Sequence, residues 1–391
     1  MKKSLGLLGL SLLFCQCGAE PRTLLSNVPV ETTFRPLQQC EIVQDIAPYI
    51  DTIEIVQLEA TPESMLGEVN KLLLRPDGAF VLLTHSGIMI FDAQGKFQAR
   101  AGRIGHGPGE YIKLNDICLT TNGQYILALS AFNQILQYRA DNGAYVKTIV
   151  PSPKLEYSCD GIAPGPEDGF YLYAGNPANA DDFETPFDCL LRYDSEGERV
   201  SQGLPRKDFG LQVAAITQSA GNSYILRPQE GDDIAYKTDA EGQFAPWARI
   251  DFGDKAIPSG YVKNLGGSVW THLQDFLRAD YYKMPLYLEQ TAYAFYFTAA
   301  GPEAQTHEFL CFTGTEKGIR WTKTAVSATP FIIRGADDEW FYGLYDDPKS
   351  YNAGELTTLP PLKRYLIERI GLKLAEDGNP PIVKIRFKTE K

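Results

Sequence analysis

Residues 77–100 of the chain read DGAFVLLTHSGIMIFDAQGKFQAR, and this stretch contains the pattern from which the architecture follows. Its apolar runs FVLL and GIMIF are short, and polar or glycine-containing breaks separate them from each other and from a third run that begins FQA. Short apolar runs between such breaks are typical of β-strands joined by tight turns. The stretch therefore predicts a strand, a short turn, a second strand, a glycine turn and a third strand.

The same unit recurs along the chain at intervals of roughly 45 to 55 residues, with three or four short strands in each copy. Later copies begin near residues 122, 168, 222, 293 and 339. This period is typical of β-propeller blades, because one such sheet cannot bury both faces alone and packs radially against its neighbours. The copies predict an all-β, six-bladed β-propeller over residues 46–391, with blades at approximately 65–105, 112–152, 155–205, 211–252, 275–325 and 330–391.

Two further segments complete the predicted ring. Residues 52–58 alternate between polar and apolar side chains and belong to none of the copies. We expect an N-terminal strand there that pairs with the C-terminal strands and closes the ring, which would leave no free edge. Between residues 362 and 374 the apolar positions follow helical spacing. This spacing predicts a short helix inserted in the last blade.

The N-terminus carries a targeting pattern. Two lysines precede the apolar run Leu5–Phe14, which is too short to span a bilayer as a helix and ends at Cys15-Gln16-Cys17. A short apolar run that ends in cysteine resembles a bacterial lipoprotein signal, in which that cysteine receives the lipid. We predict a signal peptide over residues 1–16 with lipid attached at Cys17. Cys15 is the alternative attachment residue, and an ordinary secretory signal cut nearby is the alternative to lipid attachment.

This pattern predicts a protein of the cell envelope. Its lipid would be its only attachment to the outer membrane, and the protein would face either the periplasm or the exterior. Residues 17–45, with Pro21, Pro29 and Pro36, are then expected to form an extended tether. No other stretch of the sequence approaches the run of about eighteen apolar residues that a membrane helix needs.

Composition excludes some classes of function. The 391 residues include 49 acidic and 37 basic side chains, which gives a net charge of -12 with histidines neutral. Such a chain does not favour nucleic acid as a partner, because binding nucleic acid takes clustered Lys and Arg. The 4 histidines stand singly, and no catalytic or metal-binding motif occurs. We therefore predict no catalytic residue, no resident metal and no cofactor.

The cysteines that follow the targeting segment are odd in number and widely spaced, namely Cys40, Cys118, Cys159, Cys189 and Cys311. This set is neither a zinc pattern nor a dense disulfide framework. We expect five buried free thiols, and a bridge between Cys159 and Cys189 is the alternative.

The most distinctive local motif is GRIGHGPGEY at residues 102–111, between the first two predicted blades. Its density of glycine demands backbone conformations that other residues resist, so we expect a tight, shaped loop. The structural interpretation has the Glu110 carboxylate bound to backbone amides. The functional alternative is that Arg103, His106 and Glu110 line a ligand rim. The signature residues of the loop are Gly102, Gly105, Gly107, Pro108, Gly109 and Glu110.

This loop also carries a resemblance to a known family. Gly95-Lys96-Phe97, the loop itself and then Asp116 together resemble the signature of the six-bladed β-propeller lipoproteins of Bacteroides-type bacteria, distant relatives of NHL-repeat propellers. The ending 379–387, NPPIVKIRF, is similar to the usual closing strand of that family. The resemblance covers roughly residues 40–391 and implies a secreted, lipid-anchored propeller. It implies no catalytic residues, because the family is largely without an assigned reaction.

Two functional hypotheses follow. The first is a non-catalytic binding or scaffold protein of the cell envelope, which recognises a glycan, a peptide or a protein through its propeller loops. The second is a metal-assisted hydrolase or lyase, in which loop carboxylates converge on the axis around a hard cation such as Ca²⁺. Loop aromatics could stack on sugar rings, although such residues also pack between blades. The candidate ligand rim therefore comprises Arg103, His106, Tyr281, Tyr282, Trp340 and Tyr345.

Overall fold

The computed structural model describes residues 28–389 except 156, 175–187, 207–214, 230, 266–271, 323–330, 346–358, 360 and 371–377. Six sheets that each contain four antiparallel strands form a β-propeller, which confirms the predicted architecture. The first strand of each blade contacts the first strands of other blades, so these strands lie nearest the axis. A blade runs outward from this inner strand to its fourth, outer strand.

The first three blades follow the repeat in its regular form. Blade one contains β4 (Val69–Leu74), β5 (Phe80–Thr84), β6 (Gly87–Phe91) and β7 (Phe97–Ala101). Blade two contains β10 (Leu114–Leu119), β11 (Tyr125–Ser130), β12 (Ile135–Arg139) and β13 (Tyr145–Ile149). Blade three contains β14 (Gly161–Pro164), β15 (Phe170–Tyr173), β16 (Asp188–Tyr193) and β17 (Arg199–Pro205).

The last three blades have longer connections. Blade four contains β18 (Ile216–Ser219), β19 (Ser223–Leu226), β20 (Ile234–Thr238) and β21 (Phe244–Ile250). Blade five contains β22 (Lys283–Gln290), β23 (Ala294–Ala300), β24 (Thr306–Phe312) and β25 (Gly318–Thr322), and the short helices α2 (Tyr261–Leu265) and α3 (Leu273–Arg278) precede it. Blade six contains β26 (Phe331–Ala336), β27 (Phe341–Tyr345), β28 (Ile382–Phe387) and, as its outer strand, β3 (Ile50–Val56).

Blade six closes the ring as predicted. The N-terminal strand β3 pairs antiparallel with the C-terminal strand β28, with Ile382 opposite Val56 and Ile385 opposite Ile53. The helix α4 (Pro361–Ile370) lies between β27 and β28, where helical spacing predicted one. Leu366 of this helix is fully buried in the core that blades five and six share, so the insertion packs against the propeller.

The prediction of a tether over residues 17–45 is wrong for its second half. The strand β1 (Thr32–Phe34) pairs in parallel with the outer strand of blade four, and β2 (Cys40–Ile42) pairs in parallel with the outer strand of blade five. The short helix α1 (Pro36–Gln39) connects them, with Pro36 at its first position. Phe34 and Cys40 are buried, and this burial stabilises the segment against the ring. Residues 17–27 lie outside the described residues.

The core consists of apolar side chains packed between neighbouring blades, and many of them are aromatic. Phe34, for example, lies with its ring centroid 4.8 Å from that of Phe295 in blade five. All five cysteines after the targeting segment are buried free thiols, which confirms that expectation and excludes a bridge between Cys159 and Cys189. The nearest described pair is Cys40 and Cys311, whose sulfur atoms lie 3.6 Å apart.

Candidate functional site

One face of the propeller carries the connections between successive blades and the turns between the second and third strands of each blade. We call it the upper face. Residues 102–113 belong to it because they join the outer strand of blade one to the inner strand of blade two. Residues 131–134 belong to it because they form the turn between β11 and β12. The remaining turns lie on the opposite, lower face.

The glycine-rich loop on the upper face is held by its own side chains. Two short strands, β8 (Arg103–Ile104) and β9 (Glu110–Tyr111), pair in parallel within it. The Gly107 amide donates a 2.8 Å hydrogen bond to the Glu110 carboxylate, which also forms an ion pair with Arg103. These two interactions, the Gly107 amide first, hold the pKa of Glu110 below its usual value.

Two glycines of this loop are required by its packing. Gly102 has φ +66°, and a Cβ added there would lie 2.5 Å from the Tyr138 hydroxyl oxygen. Gly109 has φ +73°, and its added Cβ would lie 2.6 Å from the Tyr145 ring. The Tyr138 hydroxyl donates a 2.9 Å hydrogen bond to the Gly109 carbonyl oxygen. The loop is therefore a fixed support on blade two, because only glycine adopts these conformations in the space available.

A cavity of about 410 Å³ opens at the axis of the upper face. The inner strands of all six blades, or the residues just before them, contribute to its wall. Most of the side chains that line the cavity are polar or charged, so the cavity suits a polar ligand. One lining residue from each blade, in order, is Lys71, Asp116, Asp160, Thr217, Tyr287 and Arg334.

An ion pair on the cavity wall joins three blades. Lys71 Nζ lies 2.7 and 3.0 Å from the two carboxylate oxygens of Asp116. The Asp116 carboxylate also accepts hydrogen bonds from the amides of Ile117 at 2.8 Å and Ile162 at 3.0 Å, so it links blades one, two and three. Burial nevertheless raises the pKa of Asp116, because desolvation outweighs the attraction of Lys71.

Arg334 forms a second connection across the mouth of the cavity. Its Nη1 donates hydrogen bonds of 3.2 Å to the carbonyl oxygens of Val69 and Asn70 in blade one. Its guanidinium carbon lies 5.1 Å from the ring centroid of Tyr287 in blade five. Blades five, six and one are therefore connected at the site, and the guanidinium is held facing the cavity.

Gln218 spans the axis towards the lower face. Its side-chain oxygen accepts a 2.6 Å hydrogen bond from the Leu74 amide, and its side-chain nitrogen donates a 2.9 Å bond to the Leu74 carbonyl. These residues belong to blades four and one, which face each other in a ring of six. The axial space below the cavity is thus occupied by a side chain of blade four that is bonded to the backbone of blade one.

Glu289 lies on the inner strand of blade five, close to the level of Gln218. Leu288 beside it accepts a 2.7 Å hydrogen bond from Thr217 of blade four. The Glu289 side chain is fully buried, and in the described part of the chain neither carboxylate oxygen has a hydrogen-bond partner. Burial raises the pKa of Glu289 well above its usual value, against the opposing influence of the Lys71 ammonium.

None of the six candidate rim residues from the sequence lines the axial cavity, and the structure brings them to different places. Arg103 and His106 are exposed on the upper face. Tyr282 is buried and stacks on Phe252 with ring centroids 4.8 Å apart. Trp340 lies just after β26, on the lower face, where the Lys384 ammonium is 4.6 Å from the centroid of its ring.

Tyr281 and Tyr345 also stand apart from the cavity. Tyr281 is half-buried, with its ring centroid 5.6 Å from that of Tyr261 in the connection before blade five. Tyr345 is buried in the core of blades five and six. Most of these aromatics are packing residues, because inter-blade cores need large apolar side chains.

Sequence reasoning missed the residues that do meet at the axis, including Lys71, Glu289 and Arg334. Their signal was a charged residue inside an apolar inner strand, as at Lys71 in VNKLLL and Glu289 in LYLEQ. Among the described residues, no group of three or more His, Cys, Asp or Glu side chains is placed to hold a metal ion. None of the described helices has the length and apolar character that crossing a membrane requires.

Comparison with known families identifies the family of this chain. The model of the domain of unknown function DUF4934 matches residues 27–386, which is almost all of the ring. The chain belongs to the DUF4934 family. No curated protein matches it.

The DUF4934 chain resembles two solved Bacteroides structures. A candidate exported protein of Bacteroides fragilis NCTC 9343 is 16% identical, with a TM-score of 0.68 over 91% of this chain and 99% of that chain. A member of the DUF4221 family from Bacteroides vulgatus ATCC 8482 is 11% identical, with a TM-score of 0.53 over 90% of this chain and 98% of that chain. At these identities the likeness shows a shared fold, and the resemblance to an uncharacterised family of Bacteroides propellers is confirmed.

Proposed function

We propose that this protein is a non-catalytic binding protein of the bacterial cell envelope, which holds a polar ligand at the axial cavity of its upper face. The observation that carries the proposal is the convergence of polar side chains from all six blades on one open cavity of about 410 Å³. Rigid inner strands hold these groups in place before a ligand arrives, which lowers the entropic cost of binding.

The metal-assisted hydrolase or lyase is not favoured. That reaction needs several carboxylates or histidines around one cation. In the described residues, the Asp116 carboxylate at the axis is already bound to Lys71 and to two backbone amides. The arrangement resembles a structural and recognition site more than a site that activates water.

Placement in the envelope forms part of the proposal. The apolar run that ends in Cys15-Gln16-Cys17 supports attachment to the outer membrane by a lipid on Cys17. The related fold of a candidate exported protein agrees with this placement. Growth with labelled palmitate tests it: label should be incorporated into the wild type and be absent from Cys17→Ala. If label persists in Cys17→Ala, the lipid is not attached at Cys17, and Cys15 becomes the attachment residue.

The binding proposal is tested with a variant that fills the cavity. Asn70 is exposed at the cavity mouth, so Asn70→Trp should block the cavity and leave the fold intact. Gln38→Trp places the same side chain on α1, on the outer side of the ring, and is the matched control. The full chains are compared on a glycan array and against a displayed library of short random peptides.

A ligand that binds the wild type and Gln38→Trp but is lost from Asn70→Trp supports the proposal. Ligands that bind all three chains equally would place recognition elsewhere and refute it. Chemical conversion of a bound ligand by the purified protein would refute the non-catalytic assignment.

A further inference from the structure

The upper face carries an apolar patch beside the axial cavity, which we define as Ile104, Ile112 and Phe132. Their exposed fractions are 61%, 46% and 73%, so these side chains lie largely in water. Ile104 pairs with Tyr111, the residue before Ile112, in the β8–β9 pair. The Ala131 amide, next to Phe132, donates a 3.0 Å hydrogen bond to the carbonyl oxygen of Lys113, the residue after Ile112. The three side chains therefore belong to one continuous part of the surface.

An exposed lysine, Lys113, borders this patch. Arg103 and Lys113 flank Ile104 and Ile112 in sequence, and both side chains are exposed. Glu110, the only acidic residue of segment 102–113, forms an ion pair with Arg103, so these two charges cancel and Lys113 supplies the net positive charge of the segment. The segment therefore carries one net positive charge, at Lys113, in a chain whose net charge is -12.

The patch is continuous with the candidate site. Lys113 and the adjacent Leu114 and Asn115 line the axial cavity. Asn115 donates a 2.8 Å hydrogen bond to the Cys159 carbonyl, and the Cys159 amide donates a 2.8 Å bond to Asn133, next to Phe132. A molecule that lies on the patch would therefore reach the cavity mouth without crossing a gap.

We propose that the partner is a polypeptide segment that carries apolar and acidic side chains. Its apolar side chains cover Ile104, Ile112 and Phe132, and a carboxylate of the segment pairs with the Lys113 ammonium at the cavity mouth. Two of the three patch residues, Ile104 and Ile112, are branched aliphatic and suit the burial of a peptide's apolar groups, whereas a sugar ring would find a flat aromatic face only at Phe132. Exposed apolar surface rimmed by charge is typical of protein recognition sites. This inference rests on the proposed binding function and names its partner.

The support beneath the patch favours tight recognition. Tyr138 and Tyr145 pack against Gly102 and Gly109, which fixes the loop that carries Ile104. Asn133 Nδ2 donates a hydrogen bond to the Tyr157 carbonyl, which fixes the turn that carries Phe132. A surface that is ordered before binding loses less conformational entropy when a partner docks.

A displayed library of random short peptides, selected on the full chain purified in detergent, tests the inference. We expect enriched sequences to combine Asp or Glu with Leu, Ile or Phe. The dissociation constant of a synthetic copy of the most enriched peptide is then measured for each variant. Phe132→Ser and Lys113→Glu should each weaken binding by about tenfold or more, and Phe132→Leu should retain most of it. The matched control is Val200→Ser, an apolar residue 45% exposed on the outer strand of blade three.

The outcomes separate the two proposals. Enriched sequences that are basic or lack apolar residues, no enrichment at all, or affinities unchanged in Phe132→Ser and Lys113→Glu would overturn the peptide inference. If glycans instead bind the wild type and are lost from Asn70→Trp, the axial binding function stands and the peptide inference falls. If every ligand is insensitive to Asn70→Trp, the axial binding function itself falls.

Discussion

Single glycines in the upper-face loop can be tested against a matched position elsewhere. Gly102 and Gly221 have nearly the same φ, +66° and +67°. An added Cβ at Gly102 would lie 2.5 Å from Tyr138 and 2.8 Å from Tyr111, whereas nothing lies within 4 Å at Gly221. The two positions therefore share a left-handed φ and differ in the space around them.

We expect Gly221→Ala to lower the free energy of unfolding by about 1 kcal/mol, which is the cost of a left-handed conformation. Gly102→Ala should lose a further amount of about 1 to 3 kcal/mol, because the surrounding tyrosines must move. Urea denaturation of both variants measures the difference. Equal losses would show that the loop yields to an added methyl group and is not a fixed support.

The buried carboxyl of Glu289 makes a prediction about pH. Because burial raises its pKa in the folded state, the folded protein binds this proton more tightly than the unfolded chain. Its contribution to stability is greatest at low pH and is lost as pH rises through the folded-state pKa. Glu289→Gln removes the ionisation, so the variant should gain about 1 to 3 kcal/mol over the wild type on the alkaline side of that pKa.

Urea denaturation between about pH 5 and pH 8 tests this dependence. The gain of Glu289→Gln should shrink as the pH falls towards the usual Glu value of 4.5. Glu63→Gln, at an exposed position, is the control and should change nothing. A gain that does not vary with pH, or a variant less stable at the alkaline end, would contradict the assignment.

The sequence alone could not show that charged residues from different blades lie close together at the axis. Lys71, Asp116 and Glu289 come from blades one, two and five, and their proximity depends on how far each inner strand extends along the axis. Turn spacing predicts the blades but does not determine that register. What the sequence did show was polar residues interrupting otherwise apolar strands, and in a propeller such residues point to the axis.

Among the secondary-structure elements, the strands of the blades follow from the sequence and the N-terminal additions do not. Gly and Asp turns at regular spacing marked the blades, because turn residues have strong local preferences. The strands β1 and β2 are only three residues long and pair with blades four and five far along the chain. Strands of three residues are too short to show a periodic pattern in the sequence. The prolines near them therefore led to the prediction of an extended tether.

The attachment of β1 to blade four predicts the effect of a mutation. Phe34 is buried, and its ring contacts those of Phe295 and Trp247. Phe34→Ala should lower the free energy of unfolding by about 3 kcal/mol, in the range of other buried Phe truncations. Gln38→Ala, exposed on α1, is the control. A tether without contacts would predict no loss for Phe34→Ala, so urea denaturation of the two variants distinguishes the alternatives.

For the molecule as a whole, the joint between blades six and one depends on Asn379. This side chain is fully buried and donates hydrogen bonds of 2.7 and 2.8 Å to the carbonyls of Glu59 and Ser64. It also accepts a 2.7 Å bond from the Leu66 amide. Residues 59–66 lead from β3 to β4, so Asn379 fixes the connection between the last blade and the first.

We expect Asn379→Ala to cost about 3 kcal/mol, because it leaves several buried backbone groups unpaired. Asn142→Ala, at an exposed turn with one hydrogen bond to the Ala144 amide, should cost well under about 1 kcal/mol. Urea denaturation of the full chains provides both values. Comparable losses would mean that the ring does not depend on this joint.

The six inner strands together produce the feature on which the proposed function depends, a polar cavity on the upper face. A crystal structure of the full chain with its tightest ligand from the array or the library tests that assignment. We predict ligand density in the axial cavity, in contact with Lys113 and at least one of Asn70 and Arg334. Density confined to the lower face or to the outer strands of the blades would contradict it.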